Sequence, residues 1–407
     1  MPNLNALAGV ENINSAMEYL NNHGYKVRPE LFYTQQLLDT IRLDEAHYVH
    51  FRLADTSPIQ GNAEKLQIRR WAPLKAHTTP LAEGVPPTSD KGSMESYEIG
   101  TFAYGRYMEF TDRVNFELID PVIAHYTREY SLVAMETLDI LARDTLLSIG
   151  QSFYANDRLA FKDLEIGDKP SLEDLRVIVL AMKKQLVQPR MNGRFHVIAS
   201  PDFYFDMISD TLVEKYMTFN NTTHNMYDDG MLVPMFNLEF YETQAAEGIS
   251  EYVDALGKLK LRVYRFNTDT DAYQYVDLDE DTYLTIEPGY DVDERTGYPG
   301  SFFPEKKTWD VAGYNEGLSE AEKAKGVYAP LKVDAVLVLG KDALIRTGLS
   351  GEDSAKTYVK PLGSAGVLDP IDQRQSIGFK INSVGFGSTR LEAVAVYYCV
   401  PTQSNLF

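Results

Sequence analysis

Cysteine is almost absent from this chain of 407 residues; the one present is Cys399, inside an apolar, strand-like run. A single thiol cannot close an internal disulfide, and a lone buried cysteine normally serves as a small core residue. No run of apolar residues approaches the ~20 needed to cross a bilayer. The opening Met1-Pro2-Asn3-Leu4-Asn5 has neither the basic nor the apolar part of a secretory signal. Synthesis and folding in a cytoplasm are expected, with no membrane partner. Basic residues are also scarce, 39 Lys and Arg against 59 Asp and Glu, a formal charge of -20. That excludes a protein built to grip nucleic acid, because phosphate binding needs clustered Lys and Arg. It suits a protein that stays soluble at high concentration and does not adhere to DNA.

Catalytic signatures are missing as well. Asn267-x-Asp269-x-Asp271 hints at a calcium loop, but Ala272 replaces the glycine and Leu278 the closing glutamate. His47 and His50 could share a helical face, yet no third ligand or His-Glu-x-x-His motif accompanies them. Gly363-Ser364-Ala365-Gly366 follows Lys360-Pro361-Leu362, the reverse of a phosphate loop, and reads as a turn. Neither Gly-x-Ser-x-Gly nor a reactive cysteine setting occurs. No catalytic, cofactor-binding or metal-ligating residue is expected.

What is present is a hydrophobic fraction of 44%, enough for a folded protein. The length suits two domains or one elongated multi-part subunit. Residues 1–60 show only two short helical stretches, near Ile13–Leu20 and Glu30–Leu43, and read as an arm. Leu66–Arg69 alternates as a strand ending at Arg70 and Trp71, and a second, aromatic-rich strand is expected from Tyr97 to Phe110. Between them lie Pro73, Pro80, Pro86, Pro87, Gly84 and Gly92. The result is a long hairpin with an irregular tip, marginal by itself in water and lacking an apolar partner nearby in sequence.

Asp120-Pro121 opens the strongest helix, with Ile123, Tyr126, Tyr130, Val133, Leu138 and Leu141 on one face. Arg128, Glu129, Glu136, Asp139 and Arg143 occupy the polar face, and the pattern fades near Gly150. Ser171-Leu172-Glu173-Asp174 resembles a capping box for a helix through Leu175, Val179, Met182 and Leu186. A strand Phe195–Ala199, a capped helix start at Ser200-Pro201-Asp202 and a strand Leu238–Glu242 follow. Asn267–Glu294 holds ten acidic residues and no Lys or Arg, marking a solvated surface insertion. Strands Ala335–Leu339 and Ile377–Ile381 and the buried run Leu391–Val400 close an α+β pattern.

Several segments, in order, resemble the major capsid proteins of N-four-like tailed phages. They include Arg69-Arg70-Trp71-Ala72-Pro73-Leu74, Thr78-Thr79-Pro80-Leu81-Ala82-Glu83-Gly84-Val85, Glu109-Phe110-Thr111-Asp112 and Asp120-Pro121-Val122. The most specific are Val338-Leu339-Gly340-Lys341-Asp342-Ala343 and Tyr358-Val359-Lys360-Pro361-Leu362-Gly363-Ser364-Ala365-Gly366. The latter runs on through Asp369-Pro370 and Gln373-Arg374 to Gly378-Phe379-Lys380. The match covers roughly residues 65–245 and 333–398. Residues 250–330 are longer than the family's usual connection, and the N-terminal arm has no counterpart.

The resemblance implies a Hong Kong 97-type capsid fold. Its parts would be an N-terminal arm (1–60), an extended E-loop hairpin (61–112) and a peripheral domain with a long spine helix (113–194). An axial domain (195–333) would include the acidic insertion at about 250–330. C-terminal strands (334–407) would return to the peripheral domain. It further implies a shell subunit that forms hexamers and pentamers around double-stranded DNA, without sequence-specific binding. Scaffolding, portal and decoration proteins would be partners, and the virion its location after assembly in the host cytoplasm. Arg69, Arg70, Trp71, Lys75, Lys91, Lys360 and Arg374 are the candidate intersubunit contacts, with Arg69, Arg70, Lys75 and Lys91 drawn to the acidic stretch of a neighbour. Two other readings are a cellular nanocompartment shell, which a neighbouring cargo gene would mark, and an acidic carbohydrate-active enzyme, which would run as a small oligomer.

Overall fold

The computed structural model describes residues 48–56, 65–72, 74, 76, 78, 80, 89–111, 122–190, 193–219, 234–244, 246, 248–287, 290–292, 299–302, 306–349, 355–361 and 373–402. All belong to the unit Asp44–Phe407. The helical stretches expected before residue 44, the cap at Asp120-Pro121 and the turn at 363–366 lie outside the described residues.

The described chain opens with a short helix α1 (Val49–Arg52) and strand β1 (Asp55–Thr56). The hairpin is β2 (Lys65–Trp71) against β3 (Met94–Gly100), in register from Lys65 opposite Gly100 to Trp71 opposite Met94. The expected single strand Tyr97–Phe110 is two strands. After Thr101 the chain becomes β4 (Phe102–Thr111), which leaves the hairpin for another sheet. Helix α2 (Val122–Ile149) has 28 residues and so spans roughly 42 Å at ~1.5 Å per residue.

The next segments are β5 (Gln151–Tyr154), α3 (Leu172–Lys184), β6 (Phe195–Ala199), α4 (Pro201–Ile208) and β7 (Leu238–Glu242). The insertion holds β8 (Glu251–Val253), β9 (Leu259–Asn267) and β10 (Ala272–Asp279), and β11 (Ala329–Pro330) rejoins β9. The C-terminal part supplies β12 (Asp334–Leu339), β13 (Ile345–Thr347), β14 (Lys356–Lys360), β15 (Arg374–Gly387) and β16 (Val394–Cys399).

Two sheets organise the core. One has the order β5-β16-β12-β6-β7, and β6, β12 and β16 are covered on both faces, which explains their nearly unbroken apolar sequence. In the other, β15 pairs with β4 along one edge and with β14 and then β13 along the other, and β1 adds to β13. The first sheet draws residues 195–199 and 238–242 into one ladder with 334–339 and 394–399. The boundaries expected at 194 and 333 therefore cut a hydrogen-bonded sheet. Of the C-terminal strands, β12 and β16 complete this sheet, while β13, β14 and β15 build the one with β4.

Helix α2 joins the two cores. Tyr130, Ala134 and Leu138 pack with Ile377, Phe379, Ile381 and Val384 of β15. One and two turns later, Ala142 and Leu146 enter the cluster of Leu175, Phe195, Val338 and Val396. The buried line recurs every four residues, and its alanines let the sheets come close to the helix axis. Burying five such positions on two separate sheets fixes the sheets relative to one another. At its C-terminus, the Gly150 N–H donates to the Leu146 carbonyl at 3.0 Å.

Asp139 is a correction to the sequence reading. It was expected on the polar face of α2, but is 1% exposed. Its Oδ2 lies 2.8 Å from Nδ1 of the equally buried His50, and its Oδ1 accepts the Phe51 N–H at 3.1 Å. A buried carboxylate is tolerable where two donors converge on it, and α1 is thereby pinned to α2. The capping box at 171 is also only half realised. Ser171 accepts the Glu173 N–H at 3.1 Å, but Asp174 is occupied by the Tyr397 hydroxyl at 2.8 Å.

Candidate functional site

Asp334, Cys399 and His196 are buried. Among the described residues, no group of three or more His, Cys, Asp and Glu is placed to hold a metal ion. Asp334 is buried, partnered by the Ser200 hydroxyl, and pushed up to about 6 by burial, against a hydrogen bond that lowers it. Cys399 is fully buried, and burial raises its thiol well above its ordinary value; a thiolate nucleophile is not available there. His196 is buried and its pKa lowered, burial being the largest cause. No described helix is long and apolar enough to cross a membrane.

The expected contact residues separate into two places. Trp71 is 72% exposed at the far end of the hairpin, opposite Met94 at 45%. Arg69 is exposed and donates to Gln67 at 3.1 Å, and Lys91 is exposed beyond β3. Lys75 lies outside the described residues. Arg374 sits 4.0 Å from Glu109, and Lys360, opposite Ser376, is exposed on the edge strand β14. Between the two groups runs the ladder of ten-residue β4, roughly 30 Å at ~3.3 Å per residue.

Two expectations about charge change. Arg70 meets Glu392 of its own chain at 3.5 Å, and Ile99 is buried at the base of the hairpin. A Cβ on Gly387 would lie 2.7 Å from Ile99, so glycine there is what lets β3 rest on β15. The hairpin thus has a footing on its own chain that the sequence did not reveal. The acidic stretch is not simply a solvated face. Asp277 binds Arg262 at 3.1 Å, Asp279 binds Lys260 at 3.3 Å, Asp281 lies 3.8 Å from Lys258, and Asp269 lies 3.1 Å from Lys325. The β9–β10 register sets Arg262 beside Asp277 and Lys260 beside Asp279. These acids are partly neutralised by bases of the same chain.

Sequence reasoning also missed a built surface after α2. Asn156 and Asp157 both adopt φ near 55°, a left-handed conformation uncommon outside glycine but easiest for Asn and Asp. The Asn156 amide donates to Asp168 at 3.1 Å, and Arg158 Nε donates to the same carboxylate at 3.0 Å. That turn leaves Leu159 91% exposed beside a groove of about 290 Å³ between β5 and α3. The Asn-Asp dipeptide was the available signal.

No protein-family model and no curated protein matches the sequence. Solved structures do match the fold. The capsid of cyanophage P-SCSP1u aligns with a TM-score of 0.53 at 10% identity, covering 91% of this chain and 93% of that one. The cyanophage Pam1 capsid asymmetric unit gives 0.54 at 9% identity, covering 93% and 99%. The capsid of Helicobacter pylori bacteriophage KHP30 gives 0.51 at 11% identity, covering 93% and 96%. The α+β architecture described above, its two sheets joined by one long helix and its hairpin arm, is therefore the fold of phage capsid chains.

Proposed function

We propose that this chain is the major capsid protein of a tailed phage, assembling as hexamers and pentamers into a closed head shell around double-stranded DNA. The observation that carries the reading is likeness to capsid chains over more than nine tenths of both partners, joined to an arm whose end displays Trp71 to solvent. A large exposed indole opposite Met94, with Leu74 also 65% exposed three residues on in the chain, marks a surface that acquires a partner. On this reading β2–β3 is the E-loop lying over a neighbour, α2 the spine helix, and the sheet of β5, β16, β12, β6 and β7 the axial core. The sheet of β4, β15 and β14 belongs to the peripheral part. The charge of -20 keeps the shell from adhering to the enclosed genome. Scaffolding, portal and decoration proteins are its expected companions, the host cytoplasm its place of assembly, and its role is structural and not enzymatic.

Electron microscopy of the expressed full chain tests this. Closed shells or capsomer rings are the expected result. A species of one chain's mass at every concentration, by size-exclusion chromatography with light scattering, would contradict it.

A further inference from the structure

The groove between β5 and α3 has features that folding of one chain does not require. Its floor includes Phe153 and Ile178, and its rim carries Val177, 51% exposed, and Leu159, 91% exposed. Leu180, one turn beyond Val177, is 52% exposed and continues the apolar strip along α3. Among the described strands β5 pairs only with β16 and is an edge strand of its sheet. The left-handed pair Asn156 and Asp157 holds the rim in place, tied down through Asp168, which is 3% exposed. Backbone in a sparsely populated region persists where surrounding bonds enforce it, and such places cluster at binding sites. A rigid loop that presents a leucine to water is arranged for contact.

The groove also has a sign. Asp157 and Asp174 line it together with Arg158, whose guanidinium is already held by Asp168 and Glu165, and Glu173 lies close enough to Asp174 to act on it electrostatically. Burial, and then these neighbouring acids, hold the Asp174 carboxyl above its ordinary range, despite hydrogen bonds from Tyr397 and Asn156. A half-buried carboxylate with like-charged neighbours is stabilised by an arriving cation. At about 290 Å³ the groove sits near the lower end of the ~300–1,000 Å³ typical of small-molecule sites. It suits one large side chain better than a cofactor.

One segment of the same chain has the matching chemistry. On the hairpin, Trp71 and Arg69 alternate onto one face of β2, about 6.6 Å apart along the strand. Trp71 stays 72% exposed in its own chain, so it does not fill its own groove. Tryptophan and arginine are the residue types most enriched among the anchors of protein interfaces. We propose that the groove between β5 and α3 receives Trp71 of a second copy of this chain, with Arg69 beside it meeting Asp157 and Asp174. Hairpin face and groove are different patches, so the contact is heterologous; repeated head to tail it closes rings or runs on as a filament. The inference rests on the shell reading and names the receptor of its arm.

The test uses the full chain with Met94→Cys and Leu159→Cys together. Met94 lies directly opposite Trp71, which is left intact, and the native Cys399 is fully buried and stays silent. After mild oxidation, assembled particles are expected to give a ladder of covalent multimers on denaturing gels, while each single variant gives only monomer. Particles that form but remain monomeric on the gel would overturn the groove assignment and leave the shell reading standing. A crosslink to a co-purifying protein of different mass would overturn it in favour of another occupant. If the wild-type chain forms no particles at all, the shell reading fails, and this inference fails with it. A second readout uses Trp309→Phe, which leaves Trp71 as the sole tryptophan. Its emission should move to shorter wavelength on assembly and lose that shift when Val177→Glu is added; unshifted emission in assembled particles would equally refute the contact.

Discussion

His50 and Asp139 show how one buried carboxylate can organise a segment of chain. Asp139→Ala leaves the imidazole and the Phe51 N–H facing the space Asp139 filled, at a cost of about 1–3 kcal/mol for each orphaned group. Urea denaturation should show that loss, with a smaller one for Asp139→Asn; an unchanged midpoint would mean that α1 is not pinned there. Asp334 gives a pH signature. Its folded pKa of about 6 lies above its ordinary 3.8, so the native state holds this proton more tightly than the unfolded chain. The stabilisation is complete below pH ~4 and is lost as pH rises to about 6, an order of ~3 kcal/mol at 1.36 kcal/mol per unit. Comparing wild type with Asp334→Asn between pH 4 and 7 isolates it: the difference should shrink wild-type stability as pH rises, and parallel curves would contradict the assignment. Neither residue was legible in the sequence. Asp139 falls at a helical position that reads as polar, and only the return of His50, 89 residues away, makes it interior. Cys399, placed in a run of apolar neighbours, was read correctly as core.

Elements whose cause is local were legible. The period of α2, the Ser200-Pro201 cap and the apolar run of β12 carry their signal within a dozen residues. The long hairpin strand was misread at Thr101, because β4 changes partner there without changing its aromatic texture. The Asp174 half of the capping box failed for a similar reason, since Tyr397, from 223 residues further on, took its carboxylate. Because α2 serves two cores, damage at either half should be felt broadly. Leu146→Ala, at a position with no exposure, is expected to cost about 2–5 kcal/mol, measurable by denaturant titration. Deleting residues 76–92 should leave α2 and both sheets intact, giving soluble protein with wild-type circular dichroism that makes no closed shells. Normal shells from that variant would remove the hairpin from assembly.

At the scale of the molecule, the pairing of 151–154 with 394–399 and the crossing of the expected boundaries at 194 and 333 depend on long-range closure that no local pattern encodes. Charge behaves likewise. The acidic stretch reads in sequence as unpaired, and the β9–β10 pairing brings Lys260 and Arg262 beside its Asp279 and Asp277. On the shell reading electrostatic attraction between copies is modest: Arg69→Ala should raise the chain concentration needed for assembly by roughly fivefold or less, as ~0–1 kcal/mol for one exposed pair implies. A loss of assembly by orders of magnitude would mean that charge dominates. The central claim is that an arm left largely exposed on its own chain is covered by another copy. Cryo-electron microscopy of the assembled full chain addresses it directly. The expected map shows closed shells in which each hairpin lies on the adjacent subunit and Trp71 is enclosed by it; a map of isolated subunits whose hairpins are covered by their own chain would contradict the account.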